Sequence, residues 1–181
     1  MDSNSKHIRF KKLWTVRNTV RRRCYTQKQL QTFITKLGAE SVSNILIHIG
    51  VNDIDYKDGQ QVFTDIKENI ALLRTKYPDI KVTLAELTPR KDHKDTEVNE
   101  CNRLINEWAT NEDNVFVASH ASLRENKEQF LVDNKHIAKK RIGVLVVNLK
   151  KALCEASGIV YRGRAEFEAT RNDTEVQETE V

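Results

Sequence analysis

The chain is 181 residues long, room for one domain and a sizeable buried core, and with 39% hydrophobic and 31% charged residues it reads as a globular protein rather than a disordered or fibrous one. Lys and Arg number 30 against 26 Asp and Glu, a formal net charge of +4. The excess is uneven: no acidic residue falls between Lys6 and Lys36, a stretch that includes Arg21, Arg22 and Arg23, while the segment from Glu166 to Glu180 is rich in Glu, Asp, Thr and Asn.

Taken in chain order, Leu30, Phe33, Ile34 and Leu37 give one apolar face to a helix over Gln27 to Leu37. Val42 to Ile49 is an apolar, β-branched run closed by Gly50, the pattern of a buried strand. Val62, Ile66, Ile70 and Leu73 repeat at helical spacing from Gln60 to Lys76, and Tyr77-Pro78-Asp79 ends that helix. Ile80 to Leu87 forms a second strand, stopped at Thr88-Pro89. Val98, Cys101, Leu104, Ile105 and Trp108 stripe a helix over Thr96 to Thr110. Val115 to Ala118 is a short third strand, and Ala138 to Glu155 is a last helix with Ile142, Leu145, Val146, Leu149 and Leu153 inward. Strands that alternate with helices imply an α/β fold with a parallel sheet covered on both sides. Periodicity fades past Gly158, so the expected organisation is one domain over 1–157 and a disordered acidic tail over 158–181.

No apolar run approaches the ~20 residues that span a bilayer, and MDSNSKHIRFKK has no apolar core of a secretory signal. Cys24, Cys101 and Cys154 are odd in number and widely spaced, which reads as free thiols without metal-ligand spacing. A cytoplasmic or nuclear protein is expected. The basic segment from Lys6 to Lys36 suggests contact with a polyanion or nucleic acid; the plainer reading is a solvated basic face answered by the acidic tail.

Function in an open α/β sheet collects at the carboxyl ends of the strands. Gly50-Val51-Asn52-Asp53 stands at one such end. Asn52 can offer its amide to an oxyanion, or the motif can be a turn whose side chains satisfy their own backbone. In Asp133-Asn134-Lys135-His136, Asp133 can fix the imidazole of His136; alternatively Asp133 or Asn134 can cap the helix that follows. Ser3, at the other end of the chain, can be a nucleophile. Asn134 and Lys135 read as solvent-facing spacers, Phe130, Leu131 and Val132 as core packing or, alternatively, pocket lining, His48 as core, and His7, His93 and His120 as surface residues.

In the order Ser, Asn, Asp, His, these pieces resemble the SGNH (GDSL-type) hydrolase superfamily over roughly Met1 to Ala156. Asp2-Ser3 matches its first block, Gly50 to Asp53 its third and Asp133 to His136 its fifth. Arg90 after Thr88-Pro89 has the look of a divergent animal branch that includes retroelement esterases. The resemblance implies a flavodoxin-like three-layer α/β/α fold with a parallel sheet and hydrolysis of small esters, O-acetyl groups among them, without metal or cofactor. It implies Ser3 as nucleophile, His136 as general base and then acid, and Asp133 as its orienter. The Ser3 backbone N–H, the Asn52 side chain and a backbone N–H from Cys24 or Tyr25 would form the oxyanion hole. Met1 stands where the first block has Gly, no Gly occurs in Arg23-Cys24-Tyr25-Thr26, and no strand precedes Ser3, so an N-terminally truncated version of the fold is expected. Against a carboxylic ester hydrolase stand two other readings: a catalytically inactive SGNH-like module that binds a partner or nucleic acid through its basic arm, and an unrelated flavodoxin-like domain with chance motifs.

Overall fold

The computed structural model describes residues 8, 22–38 and 42–162. The described elements run α1 (Gln27–Lys36), β1 (Asn44–Ile47), a 3-10 turn (Asp53–Asp55), α2 (Gly59–Lys76), β2 (Lys81–Ala85), α3 (Asp95–Ala109), β3 (Val115–Ala118), α4 (Ala121–Glu125), α5 (Lys127–Phe130), a second 3-10 turn (Lys139–Arg141) and α6 (Ile142–Ala156). The strands form a parallel sheet in the order β1-β2-β3. Ile47 pairs with Leu84, and Leu84 with Val117.

Side chains of a strand point alternately to the two faces of its sheet. Ile47, Ile49, Val82 and Leu84 face the larger core, where they meet Ile34 of α1, Ile66, Ile70 and Leu73 of α2, and Cys101 and Ile105 of α3. Ala85 and Ala118 belong to a second core with Leu145, Leu149 and Leu153 of α6, together with Ile8 and Leu123. Helices therefore cover both faces in three layers, the α/β/α arrangement expected. Each fully buried Ile or Leu contributes about 1.5–3 kcal/mol of transfer free energy, which is why short strands suffice here.

Local chemistry sets the helix ends. Thr26 caps α1 by accepting the Gln29 N–H at 3.3 Å. Asp58 and Gln61 form a reciprocal capping box that starts α2, with the Gln61 N–H 2.7 Å from Asp58 Oδ1. Gly59, first residue of α2, packs so closely on α3 that an added Cβ would lie 2.5 Å from the Glu97 carbonyl.

The last helix departs from expectation. Ala138 was expected to begin it, yet α6 begins at Ile142. Leu131 and Ile137 form an antiparallel bridge, and the Ala138 N–H donates to the Phe130 carbonyl at 2.8 Å. That pairing holds Ala138 extended, so the chain turns helical only afterwards. Asp133 and Asn134 consequently do not cap α6. The short helices α4 and α5 were not foreseen, and Val132 is exposed rather than packed in the core.

Among the described residues no helix is long and apolar enough to cross a membrane. The acid-free segment is described only at Ile8, 22–38, and the tail only to Arg162.

Candidate active site

Two loops at the carboxyl end of the sheet carry the candidate residues. The first leaves β1 through His48, Ile49 and Gly50. Gly50 has φ +124°, a backbone conformation that side chains disfavour, and an added Cβ would press on Leu87 at 3.2 Å. From there the N–H groups of Asp53 and Ile54 bond back to the Gly50 carbonyl at 3.0 and 3.2 Å, winding the first 3-10 turn.

Asn52 is half-buried, and its Nδ2 donates to the Tyr25 carbonyl at 3.1 Å. An amide nitrogen has two hydrogens, and Tyr25 takes one. Asp53 is buried, and both its oxygens accept the Gln27 N–H at 3.1 Å. Burial raises its carboxyl pKa, although this N–H works in the opposite direction. The carboxylate of the motif is thus an anchor: it holds the start of α1, and with it Cys24 and Tyr25, beside Asn52. The Cys24 side chain is itself buried in the larger core, and burial pushes its thiol pKa up.

The second loop is the narrow excursion between Leu131 and Ile137, closed by a Val132 N–H bond to the His136 carbonyl at 2.9 Å. At its tip Asp133 Oδ1 accepts the N–H groups of Lys135 at 2.9 Å and His136 at 2.7 Å, while Oδ2 lies 2.8 Å from His136 Nδ1. Partial burial opposes ionisation of Asp133, but these bonds outweigh it and pull its carboxyl down to about 2. The anion therefore favours the tautomer with the proton on Nδ1, leaving the Nε2 lone pair to act as a base.

The two loops are tied together by charge. Lys135 Nζ reaches Asp55 Oδ2 at 2.8 Å, so Lys135 is a partnered residue and not the solvent-facing spacer its sequence position suggested. Asp55 Oδ1 takes Arg90 Nη1 at 2.5 Å. Arg90 is buried, and it also grips Asp92 through Nε at 2.9 Å and Nη2 at 2.7 Å. Sequence reading missed this set because Asp55, Arg90 and Lys135 are far apart in the chain; the one signal was an arginine just after Thr88-Pro89.

A third polar group lies beneath. Glu86 is buried and accepts from Asn106, Ser119, the His120 N–H and Arg124. Burial opposes its ionisation, but these donors hold its carboxyl below the usual range. His120, expected at the surface, is fully buried instead. Its ring stands edge-on to that of His48 with centroids 5.7 Å apart, and its Nδ1 lies 3.3 Å from Asn148 Nδ2 on α6. His93 is exposed, as expected.

The structure thus brings Asp133 to His136, and Asn52 to the Cys24–Tyr25 segment. Ser3, the expected nucleophile, and His7 lie outside the described residues. Among the described residues no group of three or more His, Cys, Asp or Glu side chains is arranged to hold a metal ion. An open groove between α2 and α3, lined in part by Lys67, Arg74, Trp108 and Glu112, shares no residue with the two loops.

The sequence matches no protein-family model and no curated protein. The structure does have close relatives in shape. A member of the lipolytic G-D-S-L family from Veillonella parvula DSM 2008 superposes with a TM-score of 0.59 at 17% identity, covering 74% of this chain and 80% of its own. The fold is that of the SGNH hydrolases. A carbohydrate esterase of family 3 from Talaromyces cellulolyticus gives a TM-score of 0.62 at 13% identity, over 80% of this chain and 79% of that one. A Streptococcus pneumoniae protein gives 0.64 at 19% identity, over 84% and 80%.

Proposed function

We propose that this chain is an SGNH-type serine esterase that cleaves small esters, O-acetyl esters among them. The observation that carries the reading is the Asp133–His136 pair, in which one carboxylate holds both the loop backbone and Nδ1 of the ring. The likeness in fold to a lipolytic protein and to a carbohydrate esterase supports it.

In this reading Ser3 Oγ attacks the ester carbonyl carbon while His136 Nε2 takes its proton. The carbonyl oxygen becomes an oxyanion, met by the second hydrogen of Asn52 Nδ2 and by backbone N–H groups of Ser3 and Cys24. Collapse expels the alcohol, which receives the proton from His136 and leaves an acyl-serine. Water, deprotonated by the same imidazole, attacks the acyl carbon; collapse then breaks the bond to Ser3 Oγ, which takes the proton back from His136 as the acid leaves. The Asp133 anion stabilises the imidazolium at each stage and is not itself protonated.

The test is hydrolysis of p-nitrophenyl acetate by the chain and by Ser3→Ala and His136→Ala. Both variants are expected to fall by ~10³-fold or more, to the level left by binding and oxyanion donors. Equal rates in all three proteins would refute the esterase reading.

A second reading rests on the acid-free stretch from Lys6 to Lys36: an inactive SGNH-like module that holds a partner or nucleic acid by charge. It expects RNA or DNA binding that weakens steeply with salt and is independent of Ser3 and His136. Salt-insensitive or absent binding would remove it.

A further inference from the structure

Lys135 separates two residues of the candidate triad loop, yet its side chain turns away toward a different loop. Its partner Asp55 is two-faced: Oδ2 takes Lys135 and Oδ1 takes Arg90. Arg90 is in turn fixed by Asp92, and its Nη1 lies 3.4 Å from the carbonyl of Val51, the residue before Asn52. Asp55 thus has its position set from the buried side before it meets Lys135. Two acids and two bases balance in this set, and the Lys135–Asp55 contact is part-buried at both ends. A second tie runs parallel, from the Lys91 N–H to the Asn134 carbonyl at 2.8 Å. The Lys91 Nζ also reaches the Leu131 carbonyl at 3.3 Å.

We propose that Lys135 is a positioning residue: through Asp55 and Arg90 it holds the His136 loop at a fixed distance from the Asn52 loop. In catalysis it would set the spacing between the proton carrier and the oxyanion donor. That consequence rests on the esterase reading; the strut itself does not. An exposed lysine–carboxylate pair would be too weak for the task. A pair whose acid is already immobilised loses less freedom on closing, and catalytic alignment is sensitive to displacements of about 1 Å.

The experiment uses the full chain with Lys135→Met, which keeps the apolar stem and deletes the charge, and Lys135→Arg, which restores a cation. Amide hydrogen exchange is followed at Lys91 and Val132, whose N–H groups bond to Asn134 and His136, with α2 core amides as the control for global stability. Lys135→Met is expected to speed exchange at both sites about tenfold while α2 is unchanged, and Lys135→Arg to restore it. With p-nitrophenyl acetate, Lys135→Met should lower kcat by ~10–100-fold, leave KM within about twofold, and regain most of the loss in Lys135→Arg. Lys135→Met added to Asp55→Asn should cost nothing beyond Asp55→Asn alone, since the lysine acts through Asp55. Unchanged exchange at Lys91 and Val132 in Lys135→Met overturns the strut whatever the activity. Wild-type kcat in an active Lys135→Met, or no recovery in Lys135→Arg, overturns the positioning role. Should the unsubstituted chain match the His136→Ala background, the esterase reading fails and exchange alone decides the strut.

Discussion

Both carboxylate oxygens of Asp53 lie 3.1 Å from the backbone nitrogen of Gln27, the first residue of α1. A negative group at a helix start meets unsatisfied N–H donors and the positive end of the helix dipole. The acid of the Gly-x-Asn-Asp motif therefore joins the loop after β1 to a helix that precedes it in the chain. Asp53→Ala is expected to destabilise the fold by about 1–3 kcal/mol in urea denaturation, because the Gln27 N–H is left buried without its acceptor. Asp53→Asn keeps an acceptor oxygen and sheds a buried charge, so it should lose less. A loss in Asp53→Asn equal to that in Asp53→Ala would show that charge, not the bond, does the anchoring.

Gly50 gives a prediction of the same loop from the backbone side. Gly50→Ala must hold a side chain at φ +124° and 3.2 Å from Leu87. The expected cost is about 1–3 kcal/mol, with Asn52 displaced and turnover reduced more than stability alone explains. Urea midpoints and kcat on one preparation check both parts.

Asp133→Asn removes the anion that selects the tautomer of His136 while leaving an oxygen for the loop N–H groups. Turnover should fall by about 10³–10⁴-fold, with a circular dichroism spectrum like that of the parent. Full retention of activity would place the proton chemistry elsewhere.

The buried His48–His120 pair makes stability depend on pH. Burial lowers both imidazole pKa values to about 3 from an ordinary 6.5, and the His48 ring further disfavours charge on His120. Between those values the unfolded chain binds protons that the folded chain refuses. The stabilisation is thus complete above about pH 6.5 and is lost as pH falls toward 3, on the order of several kcal/mol for the two together. Guanidinium melts at pH 7, 5.5 and 4 should show the decline, and His48→Phe should make it shallower. A curve flat over this range would rule the pair out as its source.

The amphipathic helices α2 and α3 were legible because their apolar residues recur at a spacing that local sequence displays, and β3 because four apolar residues sit between polar turns. The Asp133–His136 pair was legible for the same reason: its geometry is closed within three residues. What sequence did not show depends on distant partners. Ala138 is kept out of the helix by Phe130, across the loop. His120 is buried against His48 and Asn148, from a loop well before it and a helix well after. Lys135 looks like a surface spacer until Asp55, eighty positions away, comes into contact. No periodicity encodes such pairings, since they exist only once the sheet has brought its carboxyl-end loops together.

The three cysteines, each buried, sit in separate parts of the fold. Cys24 lies against the start of α1 beside Asn52, Cys101 is packed on α3 with its thiol pushed up to about 12 by burial, and Cys154 is near the end of α6. A thiol reacts as its thiolate and only where a reagent can reach it. The intact protein is therefore dark to maleimide, and each sulfur becomes a local clock. Single-cysteine versions would time the opening of the segment beside the Asn52 loop, the helical layer behind the sheet and the opposite face independently, without any foreign label in the fold.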